Sequence, residues 1–343
     1  MQTITAIMGD GIGPEVMESA MRVVDSVVDV KWEEVYAGTT ALEKHGDPLP
    51  QTTLDSIARN KVALKGPCNT PVGEGFQSIN VQLRKKFDLH LNLRPIKSLK
   101  GVNCLHDDVD LVVCRENTEE LYTGEEEYIW DSVTKEITGA KVVGKITYEG
   151  SRRFFRSVFM HASLLQRKKV TVLHKVNILK LTNGIFLEVA REVAELYHQM
   201  EYEERIIDAG SMSVVMDPYR FDVIATTNLF GDIVSDIFAG LAGGLGVVPG
   251  ANFGSRYAIF EAVHDGTWPQ AAGKNLANPT ALILSAVMML DHIGEQKAAR
   301  RIRWAVESVI AEGEKVTCDL SSDGVGVGTT DMTNAIVEKI VTS

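Results

Sequence analysis

Asp232 and Asp236 stand four residues apart in the stretch 221–244, FDVIATTNLFGDIVSDIFAGLAGG. On a helix that spacing puts both carboxylates on one face, one turn apart. Two anions so placed repel unless something positive lies between them, and a divalent cation with oxygen ligands is the natural partner. The same pair could also do no more than complement a helix dipole. A second grouping lies upstream: Ser78, Asn80 and Arg84 share a helix-forming segment, Asn80 and Arg84 a turn apart, and Arg94 follows in a strand-like run. Two guanidiniums beside a hydroxyl and an amide suit a carboxylate or a phosphate, since an Arg fork binds either through paired hydrogen bonds. Taken alone, this pattern is also that of a solvated helix carrying surface arginines. Third, the apolar run 109–114 ends in Arg115-Glu116-Asn117-Thr118-Glu119-Glu120-Leu121-Tyr122. Polar residues crowding directly after a buried strand are where α/β proteins place function. In the same way 169–173 delivers His174-Lys175, and 202–207 ends at Asp208.

The elements that must position these residues follow from periodicity. Residues 4–8 read as a buried strand, and 9–15, GDGIGPE, turn it into a helix with Pro14 at its first position and Glu15 on its dipole. Val16, Ala20, Val23, Val24, Val27 and Val28 repeat at helical spacing. A strand, a glycine turn and a helix suggest a dinucleotide fingerprint, but its third glycine would fall at Pro14, so Gly9 and Gly11 read instead as a tight turn needing positive φ. Strands are expected over 31–36, 62–65, 89–95, 109–114, 169–173, 202–207, 221–227 and 256–263. Helices are expected over 54–60, 76–86, 151–165 with Ser151 as N-cap, 183–200, 279–292, 297–312 and 331–341. After 221–227 the chain breaks at Asn228 and Gly231 before its next helix. Residues 128–147 read as a hairpin or extended arm turning at Gly139, and the glycine-rich 240–253 as a hinge. Strands alternating with helices mean α/β, with length enough for two lobes.

The chain has 343 residues, a net charge of −11 and no Lys/Arg-rich block, which argues against a nucleic-acid or anionic-membrane surface while allowing a small basic pocket. Cys68, Cys104, Cys114 and Cys318 form no CxxC pair or zinc spacing, so they read as free thiols in a reducing compartment. No leader pattern precedes the first strand and no apolar run is long enough to span a bilayer; a soluble cytoplasmic protein is expected.

Six segments, in chain order, resemble the β-decarboxylating dehydrogenases, the isocitrate and isopropylmalate dehydrogenase family. They are GDGIGPE, Ser78-x-Asn80-x-x-x-Arg84, RENTEELYTG at Arg115, HKVNILKLTNG at His174, NLFGDIVSD at Asn228, and AGKNLANPTA at Ala272. The similarity runs from Ile4 to about Thr333. It implies an α/β two-domain fold that is not a Rossmann fold. A discontinuous large domain (1–98 and 252–343, the cofactor side) would hold an inserted small domain (99–251) with a clasp-like arm at about 128–147 and the dimer interface. It also implies a homodimer with shared active sites, alone or within a higher oligomer, to which Lys175 and Asp208 come from the neighbouring subunit.

The resemblance further implies oxidation of isocitrate at C2 and loss of CO2 from C3, with NAD and with Mg2+ or Mn2+ held by Asp208, Asp232 and Asp236. Lys175 would take the hydroxyl proton, directly or through a relay, as a buried base near other cations, and Tyr122 would protonate C3. Arg84, Arg94, Arg115 and Asn177 would hold the substrate, with Ser78 and Asn80 on the carboxylate that marks isocitrate. Thr70 would sit by the nicotinamide, and His264, Gly266, Gln270, Ala271, Asn278 and Asp319 would bind the rest of the dinucleotide. The sequence departs from the family pattern at Glu74, Tyr148 and Trp268 and at Asp265, which reads as an insertion. Two alternatives stand beside this reading. One is a dehydrogenase of homoisocitrate, 3-isopropylmalate or tartrate, against which Ser78 and Asn80 weigh. The other is a non-catalytic regulatory subunit, against which the presence of Tyr122, Lys175 and all three Asp weighs.

Overall fold

A computed structural model describes residues 2–71, 75–264 and 266–342; Glu74 and Asp265 lie outside the described residues. In chain order the strands are β1 (Thr3–Ile7), β2 (Lys31–Val35), β3 (Val62–Lys65), β4 (Leu91–Lys97), β5 (Asp110–Glu116), β6 (Glu126–Trp130), β7 (Ile137–Val142), β8 (Lys169–His174), β9 (Glu201–Ile206), β10 (Val223–Thr226), β11 (Pro249–Phe253) and β12 (Ala258–Ala262). The α-helices are α1 (Gly13–Asp25), α2 (Thr39–His45), α3 (Gln51–Asn60), α4 (Ile79–Lys86), α5 (Tyr148–Leu164), α6 (Thr182–Ala194), α7 (Ile207–Met216), α8 (Asn228–Leu241), α9 (Thr280–His292), α10 (Gln296–Glu312) and α11 (Thr329–Thr342). The chain divides into two compact units, one of Met1–Leu89, Leu93–Asp110 and Asp236–Ser343, the other of His90–Asn92 and Leu111–Ser235.

In the first unit the strands run β2-β1-β3-β12-β11-β4. Pairing is parallel from β2 to β12 and antiparallel between β12 and β11. Helix α9 is buried along nearly its whole length, as a helix apolar all round must be. The turn before α1 is as tight as its glycines predict. Gly9 and Gly11 have φ of 74° and 59°, and a Cβ on Gly11 would lie 2.0 Å from the Thr267 carbonyl oxygen. Asp10, buried in that turn, accepts the backbone N–H groups of Thr39, Thr40 and Asn69, so one carboxylate caps α2 and holds the loop that carries Thr70.

In the second unit the order is β5-β10-β8-β9, all parallel. Val223, Ile224 and Ala225 of β10 are buried, which is why an unbroken apolar run rather than an alternating one marks the strand. Strands β6 and β7 form a separate antiparallel ribbon, exposed on both faces.

Several boundaries differ from the sequence reading. Helix α4 begins at Ile79, with Ser78 at its N-cap, so 76–78 are not helical. Helix α5 begins at Tyr148 because Thr147, not Ser151, accepts the Gly150 N–H as its cap. The ribbon turns at 131–136; Gly139 lies within β7, opposite Ile129. Asn228 and Gly231 do not break the chain, since α8 begins at Asn228 and carries Gly231 inside it. Helices α2 and α7 went unread: α2 is only seven residues long, and α7 carries Gly210, Ser211 and Ser213, which resemble a turn. Among the described residues no helix is long and apolar enough to cross a membrane, and all four cysteines are free.

Candidate active site

In the second unit, register brings the chemistry to one edge. Thr226, the last residue of β10, pairs with Arg115 on one side and Leu173 on the other, and His174 pairs with Ile206. The carboxyl ends of four parallel strands therefore deliver Arg115, Asn228, Lys175 and Asp208, the end of such a sheet at which ligands bind.

Arg115 is buried and held by Asn228 and Asp232. Its Nε donates to the Asn228 carbonyl at 2.9 Å, its Nη2 to Asn228 Oδ1 at 2.8 Å, and its Nη1 to Asp232 Oδ1 at 2.5 Å. The Tyr122 hydroxyl donates to the other oxygen of Asp232 at 2.5 Å, and the Arg115 guanidinium stands 4.9 Å from the Tyr122 ring centroid. Asp232 is thus oriented by an arginine and a phenol. Gly231 makes this possible, because a Cβ there would lie 2.5 Å from Arg115 Cγ and 2.7 Å from its Cβ. Gly231→Ala should therefore melt below the wild type and raise KM for an anionic substrate. Overpacking of this kind costs about 1–3 kcal/mol, against about 1 kcal/mol of helix propensity gained. A thermal melt at or above wild type would count against the close packing.

Two buried glutamates shape the segment between Arg115 and Tyr122. Glu116 accepts from the Thr118 N–H and hydroxyl and the Glu119 N–H. Glu120 accepts the Leu229 N–H at 2.7 Å, in the first turn of α8. Burial pushes both carboxyls up from the ordinary range, with those hydrogen bonds opposing it. Neither was singled out from sequence, although acids beside a buried strand were the available signal.

Lys175 Nζ lies 2.8 Å from Asp208 Oδ1, and its hydrogen bond holds the Asp208 carboxyl below the usual carboxylate range. Lys175 is a quarter exposed, and in the single chain its partner is an anion. The exposure follows from its place, one residue past the end of β8, where the backbone has left the core. Its N–H is fixed by Asn183 Oδ1 at 2.7 Å. Asn177 is exposed nearby in sequence. Among the described residues no three His, Cys, Asp or Glu side chains gather into a metal set. The donors present are nonetheless hard carboxylate oxygens, part-exposed on Asp232 and more so on Asp236 and Asp208, and these fit Mg2+ or Mn2+.

In the first unit, Arg94 is buried with Nη1 3.2 Å from Asp236 Oδ1. Arg84 is turned inward. Its Nη2 lies 3.5 Å from Glu261 Oε1, while Glu261 also takes Lys65 Nζ at 2.8 Å and Asn252 Nδ2 at 2.7 Å. Burial works to raise the Glu261 carboxyl, but Lys65 and Arg84 outweigh it and hold it well below the usual range. This cluster was missed, though a Lys ending VALK and a Glu inside AIFEA, each in a fully buried strand, were its signal. Asn80 is buried and Ser78 half-buried, with no capping hydrogen bond from the Ser78 side chain.

Of the expected dinucleotide contacts, Thr70, Gly266 and Gln270 are exposed, His264 is half-buried, and Ala271 is buried, which leaves Gln270 as the exposed member of that pair. Asn278 Nδ2 donates to Asp319 Oδ2 at 2.9 Å, and Thr317 Oγ1 to Asp319 Oδ1 at 2.6 Å. Trp268 is exposed in a left-handed conformation, φ 35°. Tyr148 opens α5 and donates to Glu188.

Comparison with known proteins shows the family. The sequence profile of the isocitrate/isopropylmalate dehydrogenase family matches residues 3–336. A probable NAD isocitrate dehydrogenase alpha subunit of Drosophila melanogaster is 43% identical over 338 residues, 98% of this chain and 87% of the relative. A 3-isopropylmalate dehydrogenase of Archaeoglobus fulgidus is 47% identical over 325 residues, 94% of this chain and 95% of the relative. The crystal structure of isocitrate dehydrogenase from Methylococcus capsulatus superposes with a TM-score of 0.95 at 50% identity, covering 99% of both chains. The mostly parallel α/β architecture, the profile match over nearly the whole chain and these likenesses lead to one conclusion: the chain belongs to the isocitrate/isopropylmalate dehydrogenase family.

Proposed function

We propose that the protein oxidises isocitrate to 2-oxoglutarate and CO2, with NAD and Mg2+ or Mn2+. The observation that carries the reading is the pair Ser78 and Asn80 at the start of α4. A hydroxyl and an amide suit a carboxylate substituent, and an isopropyl group would call for apolar side chains there. Arg84, Arg94, Arg115 and Asn177 hold the other carboxylates, and Arg84 does so by exchanging Glu261 for substrate. Lys175, once its ion pair with Asp208 opens and its ammonium has released a proton to solvent, accepts the C2 hydroxyl proton, and Tyr122 delivers a proton to C3. Asp232, Asp236 and Asp208 would hold the metal, which polarises the C2 oxygen when bound. Thr70 would stand on the nicotinamide side of NAD and His264, Gly266, Gln270, Ala271, Asn278 and Asp319 would hold the rest of the dinucleotide, which when bound would supply the acceptor for the C2 hydride. The active unit is a homodimer in which Lys175 and Asp208 serve the partner's site and the β6–β7 ribbon is the arm between subunits.

Steady-state rates with isocitrate, homoisocitrate, 3-isopropylmalate and tartrate, at fixed metal, test the substrate. Isocitrate should give the highest kcat/KM; a higher value with another substrate would replace it.

NAD is expected over NADP. The 2′-phosphate of NADP is an anion that needs cationic or multiple-donor partners. Between His264 and Asn278 the sequence offers only Lys274. Asp319, held by Asn278 and Thr317, would repel a phosphate. Gln270 both donates and accepts, so the preference should be moderate and should sharpen in Gln270→Asp. A higher kcat/KM with NADP would overturn the assignment.

A further inference from the structure

Two residues before the proposed acid Tyr122, and bonded to the helix that bears Asp232, stands a residue to which no part in the reaction has been given. Glu120 is buried and has φ 64° and ψ −144°, a backbone state close to one that is essentially reserved for glycine. A non-glycine side chain persists in such a state only where its surroundings over-determine it, and such residues cluster at functional sites. Here the surroundings act from every side. The Glu120 N–H donates to the Lys145 carbonyl at 2.8 Å, in an isolated bridge just beyond β7. Its carbonyl accepts the Thr123 N–H at 3.3 Å and the Thr123 hydroxyl at 3.1 Å, so the one-turn 3-10 helix Leu121–Thr123 hangs from it. Its carboxylate takes the Leu229 N–H, one of the donors that the first turn of α8 leaves without an intrahelical acceptor. Next to it, the Asn228 amide donates to the Glu119 carbonyl at 3.2 Å. The backbone of Glu120 therefore carries Tyr122 and its side chain carries the start of the helix that bears Asp232.

We propose that Glu120 is a positioning residue, which holds the Tyr122 hydroxyl and the Asp232 carboxylate in register for delivery of the proton to C3. The proposal rests on the reaction proposed above, and deepens it at the same site. A capping acceptor alone would ask for no strained backbone, and a turn alone would take glycine. The combination of a buried carboxylate and a left-handed φ is what ties two separate segments to one another.

Three variants test it. Glu120→Gln keeps an acceptor oxygen for Leu229 and should hold kcat within about threefold of wild type, since the hydrogen bond survives. Glu120→Ala removes the acceptor and should lower kcat about tenfold or more, with KM for substrate and NAD within about twofold, because a misplacement near 1 Å already costs on the order of 10²-fold. Glu120→Gly relieves the backbone and should melt at or above the alanine variant, yet turn over as slowly. A folded Glu120→Ala with wild-type kcat would overturn the proposal, as would a Glu120→Gly that recovers melting temperature and kcat together. If the alanine variant does not fold, the glycine and glutamine variants carry the comparison. A second readout needs no turnover: with fluorotyrosine at position 122, the 19F resonance should move in Glu120→Ala or Glu120→Gly and stay in Glu120→Gln. An unmoved resonance in both would sink the idea. A wild type that oxidises none of the four substrates would refute the reaction and leave the 19F result to decide the positioning.

Discussion

Lys175→Met is expected to lower kcat by roughly 10²–10⁴-fold, the range in which a positioned general base contributes, and to leave the fold intact. The two halves of that expectation come from different contacts. The side chain makes one ion pair, to an exposed Asp208 carboxylate, and exposed pairs contribute little to stability. The backbone N–H is held by Asn183, which the substitution does not touch. Methionine keeps the length of the aliphatic stem and removes only the ammonium. Steady-state kinetics beside a thermal melt check both halves. Near-normal turnover by a folded variant would remove Lys175 from the chemistry, and a collapse of the melting temperature would show that the Asp208 pair matters more to the fold than its exposure says.

Ser78→Asp should be the second large effect, and its sign differs between fold and function. Ser78 occupies the N-cap of α4 without donating or accepting a capping hydrogen bond through its side chain. Aspartate at an N-cap can accept from the free N–H groups and complements the helix dipole, so stability should hold or rise slightly. The same charge would face a substrate carboxylate, and like charges brought together in a pocket cost several kcal/mol as an order of magnitude. The expected result is a normal or higher melting temperature with kcat/KM for isocitrate reduced by roughly 10²-fold or more. Ser78→Ala should lose far less. If the two variants behave alike in kinetics, Ser78 does not meet the substrate.

The sequence was most legible where local chemistry and global fold agree. Pro14 and Glu15 mark the start of α1 because their preferences are local, and β10 is visible because both its faces are buried. Gly231 misled for the opposite reason. Its helix propensity is poor, and what keeps it is Arg115, 116 positions earlier, whose Cβ and Cγ fill the space a side chain would need. Thr147 outranked Ser151 as a cap only because Glu119 fixes it, accepting both its N–H at 2.9 Å and its hydroxyl at 2.5 Å. At the candidate site, helical spacing pointed to Asp232 and Asp236, both of which lie on α8, while Tyr122 and Lys175, past the ends of β5 and β8, took their roles from the family resemblance. The resting partner of Arg84 was legible only as an acid inside a buried strand, with nothing local to pair it with Arg84. Glu261 lies on another strand of the same unit, and only the folded register of β3 and β12 brings it to Lys65.

The β6–β7 ribbon has a bearing on how the enzyme must be assayed. A two-stranded ribbon is marginal at best when nothing covers it, and this one shows Tyr128, Trp130, Val133 and Ile137 to solvent. Under the proposed pairing of subunits, order in the ribbon is a property of the population, governed by mass action. Specific activity should then decline on serial dilution, recover on concentration with a lag set by reassociation, and be accompanied by proteolytic nicking that maps to 126–142 and fades as protein concentration rises. Rate laws fitted at a single enzyme concentration would fold that equilibrium into kcat.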